Sequence, residues 1–303
     1  MAETESLKDV QENEEYLEAS DGTQIFMRSW LPQGEIEHVA FAIHGQCAHS
    51  GTYRKWAAAL TKHKIATFAM DLRGYGNTGK RGDAKDFNLV TEDITVAFSM
   101  VCKRYPELPV SLLSWSMGVS MVLNTFDQFP ELAPSTVILV AGRIEAGGSV
   151  IQLLGTGIFV LKSFLIPNAR YDFWSQSPKS MLECELGQLV TEDDLCAKLV
   201  SRRMLLPMGS LMNMKFIMRG AARISVPTLI IHGEGDTANI PDGSRQLYEN
   251  LTVTKKKLVM IPDMDHDLDG LCVYMGPGLN RPLTPNASRV VEEIVAWVKA
   301  DHQ

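Results

Sequence analysis

Short apolar runs alternate along this chain with longer segments in which apolar residues recur every three or four positions. That alternation predicts βαβ units and a mainly parallel sheet covered by helices on both faces. Residues 23–31, 39–43, 65–70, 110–113, 136–141, 228–232 and 258–261 read as strands, most of them too continuously apolar to show one solvated face. Residues 53–62, 92–104 and 117–129 carry helical spacing, and Val290, Val291, Ile294, Val295 and Val298 predict a final helix that closes the fold.

Between residues 144 and 224 the alternation gives way to Leu- and Met-rich stretches of helical character, with breaks expected at Pro167, Pro178 and Pro207. The strand pattern resumes after Pro227. The expected organisation is therefore an acidic tail over residues 1–20, a doubly wound α/β core over 21–143 and 225–303, and a helical cap inserted at 144–224. Such a cap would lie over the carboxyl ends of the strands, where open parallel sheets bind ligands.

Charge narrows the range of partners. The formal net charge of -7 is spread through 303 residues without a basic run or a Lys/Arg-rich helix, which speaks against a nucleic-acid partner. Five cysteines, Cys47, Cys102, Cys184, Cys196 and Cys272, stand far apart with no CxxC pair or zinc spacing, as in a protein kept reduced in the cytoplasm. The acidic first residues lack the basic start and apolar stretch of a signal peptide, so the sequons at Asn250 and Asn286 read as chance matches. The most apolar stretch, 150–166, is interrupted by Gln152, Lys162, Ser163 and two glycines, too short and broken for a membrane span. An amphipathic cap element in transient contact with a lipid surface is compatible with it.

Chemistry enters at Ser114-Trp115-Ser116-Met117-Gly118, placed between a predicted buried strand and a predicted helix. A nucleophilic serine on such a strand-to-helix turn needs small residues two before and two after it, because the turn is tight. Ser114 stands where glycine is usual. Ile43-His44-Gly45-Gln46 ends an earlier strand, and a loop there can offer one backbone N–H to an oxyanion, the second coming from the residue after the nucleophile. Gln46 and Met117 are the expected donors, and His44 is expected to buttress the loop. Asp236, in the turn after strand 228–232, is the expected acid, in competition with Glu234 and Asp242. His266, on the loop after the last strand, is the expected base. The chain order Ser, Asp, His at three successive strand ends is the order this chemistry requires.

The same loop contains Asp265-His266-Asp267-Leu268-Asp269-Gly270, the opening of a calcium loop, but its twelfth position would be Gly276 and no strong helix precedes it. No metal or cofactor is expected. The flanking acids are expected to favour the charged form of His266.

These segments, together with His49-Ser50-Gly51-Thr52-Tyr53 and Asp71-Leu72-Arg73-Gly74-Tyr75-Gly76, resemble the monoacylglycerol lipase and lysophospholipase branch of the α/β-hydrolases, a branch related to serine aminopeptidase-like hydrolases, over about residues 20–300. The resemblance implies an esterase acting through an acyl-enzyme, with Ser116, Asp236 and His266 as the triad, Gln46 and Met117 at the oxyanion, a mobile cap over 144–224 and a small acyl ester as substrate. Cys47, Ala48 and Thr52 stand where those lipases carry Gly, Glu and Arg, which weakens the expectation of a glycerol head group. In the cap, Leu153, Leu154, Ile158, Phe159, Leu205, Leu206, Met208, Met212 and Met218 could line an acyl site or simply pack. Two other readings stay open: a peptidase holding an α-amine through Glu183, Glu185, Asp193 or Asp194, and a catalytically silent ligand-binding protein. A dehalogenase or epoxide hydrolase would carry Asp at position 116.

Overall fold

The computed structural model describes residues 10–144, 161, 165–172, 174–177 and 179–300. Eight strands form one sheet: β1 (Gln11–Glu18), β2 (Gln24–Leu31), β3 (His38–Ile43), β4 (Ile65–Met70), β5 (Val110–Trp115), β6 (Val137–Val140), β9 (Thr228–Gly233) and β10 (Lys256–Ile261), in the spatial order β1-β2-β4-β3-β5-β6-β9-β10. From β4 to β10 every neighbouring pair is parallel, while β1 and β2 add an antiparallel edge. The strands β7 (Arg170–Asp172) and β8 (Leu199–Ser201) form a separate hairpin in the inserted region.

Alternate strand residues feed two apolar layers. Phe41, Phe68 and Leu112 meet Phe98, Val122 and Phe126 on one face. Ala42, Leu113 and Ile138 meet Trp56, Leu60, Val290 and Ile294 on the other. The first layer is covered by α2 (Val90–Arg104) and α3 (Met117–Gln128), the second by α1 (Arg54–Thr61) and the terminal helix Pro285–Lys299. The strand order reverses direction at β3: the chain passes to β4 on one side, then crosses to β5 on the other. A crevice opens at such a reversal, outside the carboxyl ends of the two strands. The loop beginning at His44 and the turn at Ser116 both lie there.

The acidic stretch expected as a tail is a strand over Gln11–Glu18. Three of its four acids, Glu12, Glu14 and Glu15, find basic partners along this edge. Glu12 accepts hydrogen bonds from Arg28 Nη1 at 2.6 Å, Trp30 Nε1 at 2.8 Å and Arg54 Nε at 2.9 Å, and Glu15 pairs with both terminal nitrogens of Arg104.

In the inserted region, Pro207 lies inside the helix Arg202–Leu211 instead of ending it. The following helix, Met214–Arg223, packs on α3 so closely that a Cβ on Gly220 would collide with the Leu123 carbonyl. Asn124 Nδ2 donates to the Leu211 carbonyl and Arg219 grips the Asp127 carboxylate along the same seam. Expected lining residues Leu205 and Met208 are buried in the first apolar layer, and Met212 and Met218 pack against it. Leu206 is half-buried. Leu153, Leu154, Ile158 and Phe159 lie outside the described residues.

Candidate active site

Strand β5 ends at Trp115 and helix α3 begins at Met117, so the whole reversal falls on Ser116. Its backbone sits at φ 58°, ψ -123°, a conformation L residues adopt only where the surroundings enforce it. The enforcement is steric. A Cβ on Gly118 would collide with the Ile43 carbonyl, and one on Gly45 would stand 2.9 Å from Ser116 Cβ and from the Trp115 ring. Ser114, at the position where glycine is usual, is fully buried, with its hydroxyl turned to the Ile138 carbonyl at 3.4 Å. Its Cβ and hydroxyl are thus accommodated along the sheet.

Three strand ends bring the expected residues together. His266 Nε2 lies 3.0 Å from Ser116 Oγ, and His266 Nδ1 lies 2.7 Å from Asp236 Oδ2. All three side chains are less than a tenth exposed. An imidazole between a hydroxyl and a carboxylate can take the hydroxyl proton while the carboxylate holds the other ring N–H. The competitors Glu234 and Asp242 instead pair with Arg245 at the surface.

Asp236 is wired more heavily than its place in a turn implied. Its Oδ1 accepts from the N–H groups of Ala238 and Asn239, both at 2.8 Å, and Oδ2 is shared between His266 and His232, the latter at 3.1 Å. Burial by itself would raise the Asp236 pKa; the His266 charge and the hydrogen bonds from His232, His266 and Asn239 outweigh it and hold the group well below the usual carboxylate range. The tautomer of His232 follows from its partners. Nε2 faces the Asn239 carbonyl at 3.1 Å, an obligate acceptor, so it carries the proton, and Nδ1 accepts from Ser244 Oγ at 2.6 Å.

The loop after β3 is fixed from several sides. His44 donates from Nδ1 to the Gly45 carbonyl at 2.8 Å and accepts at Nε2 from the Leu72 N–H at 3.0 Å, while burial pulls its pKa down to about 4. It is a neutral buttress. Asp71 accepts from the N–H groups of Ser50 and Asn77 at 2.6 and 2.8 Å, and Arg73 forms a bidentate pair with Asp93. This positions Tyr75, whose hydroxyl donates to Gln46 Oε1 at 2.9 Å and lies 3.8 Å from Met117 Sδ and 3.4 Å from Met208 Sδ in the inserted region. Tyr75 thus touches both residues expected at the oxyanion. Farther along the loop, His49 Nε2 donates to Asp193 Oδ2 at 2.9 Å, and Tyr274 donates to the same oxygen at 2.9 Å. Among the described residues His49, Asp193 and Cys196 form the one group able to hold a metal ion, but their polar atoms are already paired with one another and with Tyr274.

Asp267 is buried beside Asp265, and burial, its hydrogen bond to Asp265 and that residue's charge all raise its pKa above the usual carboxylate range. Asp265 Oδ1 and Asp267 Oδ1 accept from the N–H groups of Asp269 and Gly270, closing the turn on itself. Of the four acids considered as anchors for an α-amine, Asp193 is buried in the His49 and Tyr274 bonds, Glu185 pairs with Arg281 and Glu183 with Lys179, while Asp194 is exposed at the surface. Cys47 adopts φ 56°, and burial pushes its thiol up to about 12, so it is no rival nucleophile.

Sequence reasoning passed over Trp115, His232 and Asn239. Trp115 Nε1 donates to the His266 carbonyl at 3.2 Å. Asn239 Nδ2 donates to the Ala141 carbonyl at 2.8 Å and lies 3.5 Å from Ser116 Oγ. His232 ends a strand run and reads as one more buried position; its spacing of four from Asp236 was the available signal.

A mostly parallel eight-stranded sheet with a serine elbow after β5, an acid after β9 and a histidine after β10 defines an α/β-hydrolase. Solved structures carry the same fold: a soluble variant of monoglyceride lipase from Saccharomyces cerevisiae superposes with a TM-score of 0.68 at 20% identity, covering 94% of each chain. A lipase in its open form superposes with a TM-score of 0.76 at 17% identity, covering 95% of this chain and 98% of the other. The chain belongs to the serine aminopeptidase S33 family, whose model matches residues 34–270. It is 26% identical to the monoglyceride lipase of Rattus norvegicus, across 93% of this chain and 89% of the relative. To the monoacylglycerol lipase of Mycolicibacterium smegmatis it is 23% identical, across 91% and 93%.

Proposed function

We propose that this protein is a serine esterase of the lipase type, cleaving carboxylic esters of acyl chains through an acyl-enzyme on Ser116. The observation that carries the reading is the continuous link from Ser116 Oγ through His266 to Asp236, at 3.0 and 2.7 Å. Lipases among its relatives support the substrate class. His266 takes the Ser116 proton as Oγ attacks the ester carbonyl, and the N–H groups of Gln46 and Met117 hold the oxyanion. The alcohol leaves with the proton from His266. Water, activated by the same imidazole, then releases the acid. Asp236 keeps the His266 Nδ1–H in place and stabilises the imidazolium.

The peptidase reading is disfavoured by the engagement of Asp193, Glu185 and Glu183 in other pairs. In the loop where related lipases carry polar groups for glycerol, Cys47, Ala48 and Thr52 are all buried, so the head group is recognised by other means or only loosely. The five cysteines are free thiols, consistent with a reducing, cytoplasmic setting. Among the described residues no helix is long and apolar enough to cross a membrane.

A fluorophosphonate probe should label the wild type at Ser116 and leave Ser116→Ala unlabelled. A p-nitrophenyl ester series of increasing chain length should be hydrolysed in preference to aminoacyl arylamides. Equal labelling of Ser116→Ala, or faster cleavage of the arylamides, would overturn the proposal.

A further inference from the structure

The carboxamide of Asn239 lies between Ser116 and Ala141, with its own main chain in the turn held by Asp236. Its orientation is fixed by chemistry: the Ala141 carbonyl can only accept, so the atom facing it at 2.8 Å is Nδ2. One Nδ2 hydrogen is committed to that carbonyl. The other is left for Ser116 Oγ, at 3.5 Å. The main chain of Asn239 is pinned at the same time, its N–H on Asp236 Oδ1 and its carbonyl on His232 Nε2. Ala141, in the left-handed region at φ 47°, presents the anchoring carbonyl, and its own N–H is held by Ile231. The residue is 7% exposed. It is thus a preorganised donor aimed at the reacting oxygen.

We propose that Asn239 is a catalytic residue of the second half-reaction, donating its free Nδ2–H to Ser116 Oγ as the acyl group departs; this rests on Ser116 being the nucleophile. In the resting enzyme Ser116 Oγ–H is directed to His266 Nε2, and the 3.5 Å contact from Asn239 is long for a hydrogen bond. Little is lost there when Oγ attacks. In the acyl-enzyme Oγ is an ester oxygen and a poor acceptor. Water adds to the acyl carbon, giving its proton to His266; the C–Oγ bond then breaks and its electron pair returns to Oγ. That oxygen recovers a proton from His266 Nε2 while charge builds on it. A donor fixed beside it is worth more at that moment than in the acyl-enzyme, which is the condition for accelerating the step. Asn239 therefore speeds deacylation and leaves acylation nearly untouched.

p-Nitrophenyl dimethylcarbamate separates the two steps, because release of p-nitrophenol reports carbamoylation and the return of esterase activity after gel filtration reports decarbamoylation. Asn239→Leu keeps the volume and removes the donor. It should slow decarbamoylation about fivefold, the equivalent of a neutral hydrogen bond of about 1 kcal/mol, with carbamoylation changed by less than about twofold. Asn239→Ala, free of any steric burden, should show the same split if the Leu variant is poorly folded. Equal loss in both steps would mean that Asn239 merely supports the turn at Asp236. No change in either would remove it from the reaction. A wild-type enzyme that is not carbamoylated would instead bring down the Ser116 reading, a result distinguishable from both.

Discussion

The indole N–H of Trp115 donates to the main-chain carbonyl of His266 at 3.2 Å, and the two rings lie 5.3 Å apart at 33°. The residue preceding Ser116 therefore holds the loop that carries His266. Trp115→Phe keeps most of the ring and loses the donor, leaving a buried carbonyl unpaired, which costs about 1–3 kcal/mol. The thermal midpoint should fall by a few degrees, and kcat/KM for a p-nitrophenyl ester should fall more than in a variant of equal stability altered far from the site. Unchanged kinetics would show that His266 is held by the rest of its loop.

His232 grips the same oxygen of Asp236 as His266 does. Replacing it with Phe removes one donor to a buried carboxylate and should lower kcat/KM about tenfold, the scale of a hydrogen bond to a charged group. Steady-state kinetics on a chromogenic ester test this, with fluorophosphonate labelling expected to slow in parallel.

Two buried histidines make the fold sensitive to mild acid. Burial lowers His38 from 6.5 to about 4, with the Lys299 charge adding to the effect, and burial lowers His44 from 6.5 to about 4. Below pH about 6.5 the unfolded chain takes up protons that the folded protein refuses, so stability falls as pH drops from about 6.5 to about 4 and levels off beneath that. Each group contributes a slope of up to about 1.4 kcal/mol per pH unit. Urea unfolding between pH 7 and 5 should show this decline, and His38→Gln should remove about half of it. A flat profile in the wild type would contradict the burial.

Glu12 acts in the opposite sense. Burial would raise its pKa, but hydrogen bonds from Arg54 and Trp30 and the charges of Arg54 and Arg28 bring it from 4.5 down to about 2. Its contribution is complete above pH about 4.5 and disappears as pH falls to about 2. Glu12→Gln should cost about 1–2 kcal/mol at pH 7, and the gap between variant and wild type should close over that window. Chemical denaturation of both at pH 7, 4 and 3 gives the comparison.

The physics behind that edge strand also explains what was legible in the sequence. β3, β4, β5 and β9 are buried on both faces, so their apolar runs announce them. β1 carries four acids among eight residues and earns its place through Arg28, Arg54 and Arg104, partners distant in sequence. The helix Asp242–Asn250 buries Gly243, Ser244 and Leu247, too small an apolar face to show as periodicity. Ser116, Asp236 and His266 were readable because each follows a strand that could itself be read. Asn239 was not, since its contacts with Ala141 and Ser116 are made across the ends of different strands.

Gly220 leaves the helix Met214–Arg223 lying backbone against backbone on α3 at Leu123, and α3 starts at Ser116. That part of the insertion cannot swing as a free flap, because any rotation there would drag the helix that begins at the Ser116 turn. The downstream half of the inserted region is in this way welded to the sheet's own helical layer, and it shares whatever rigidity α3 has.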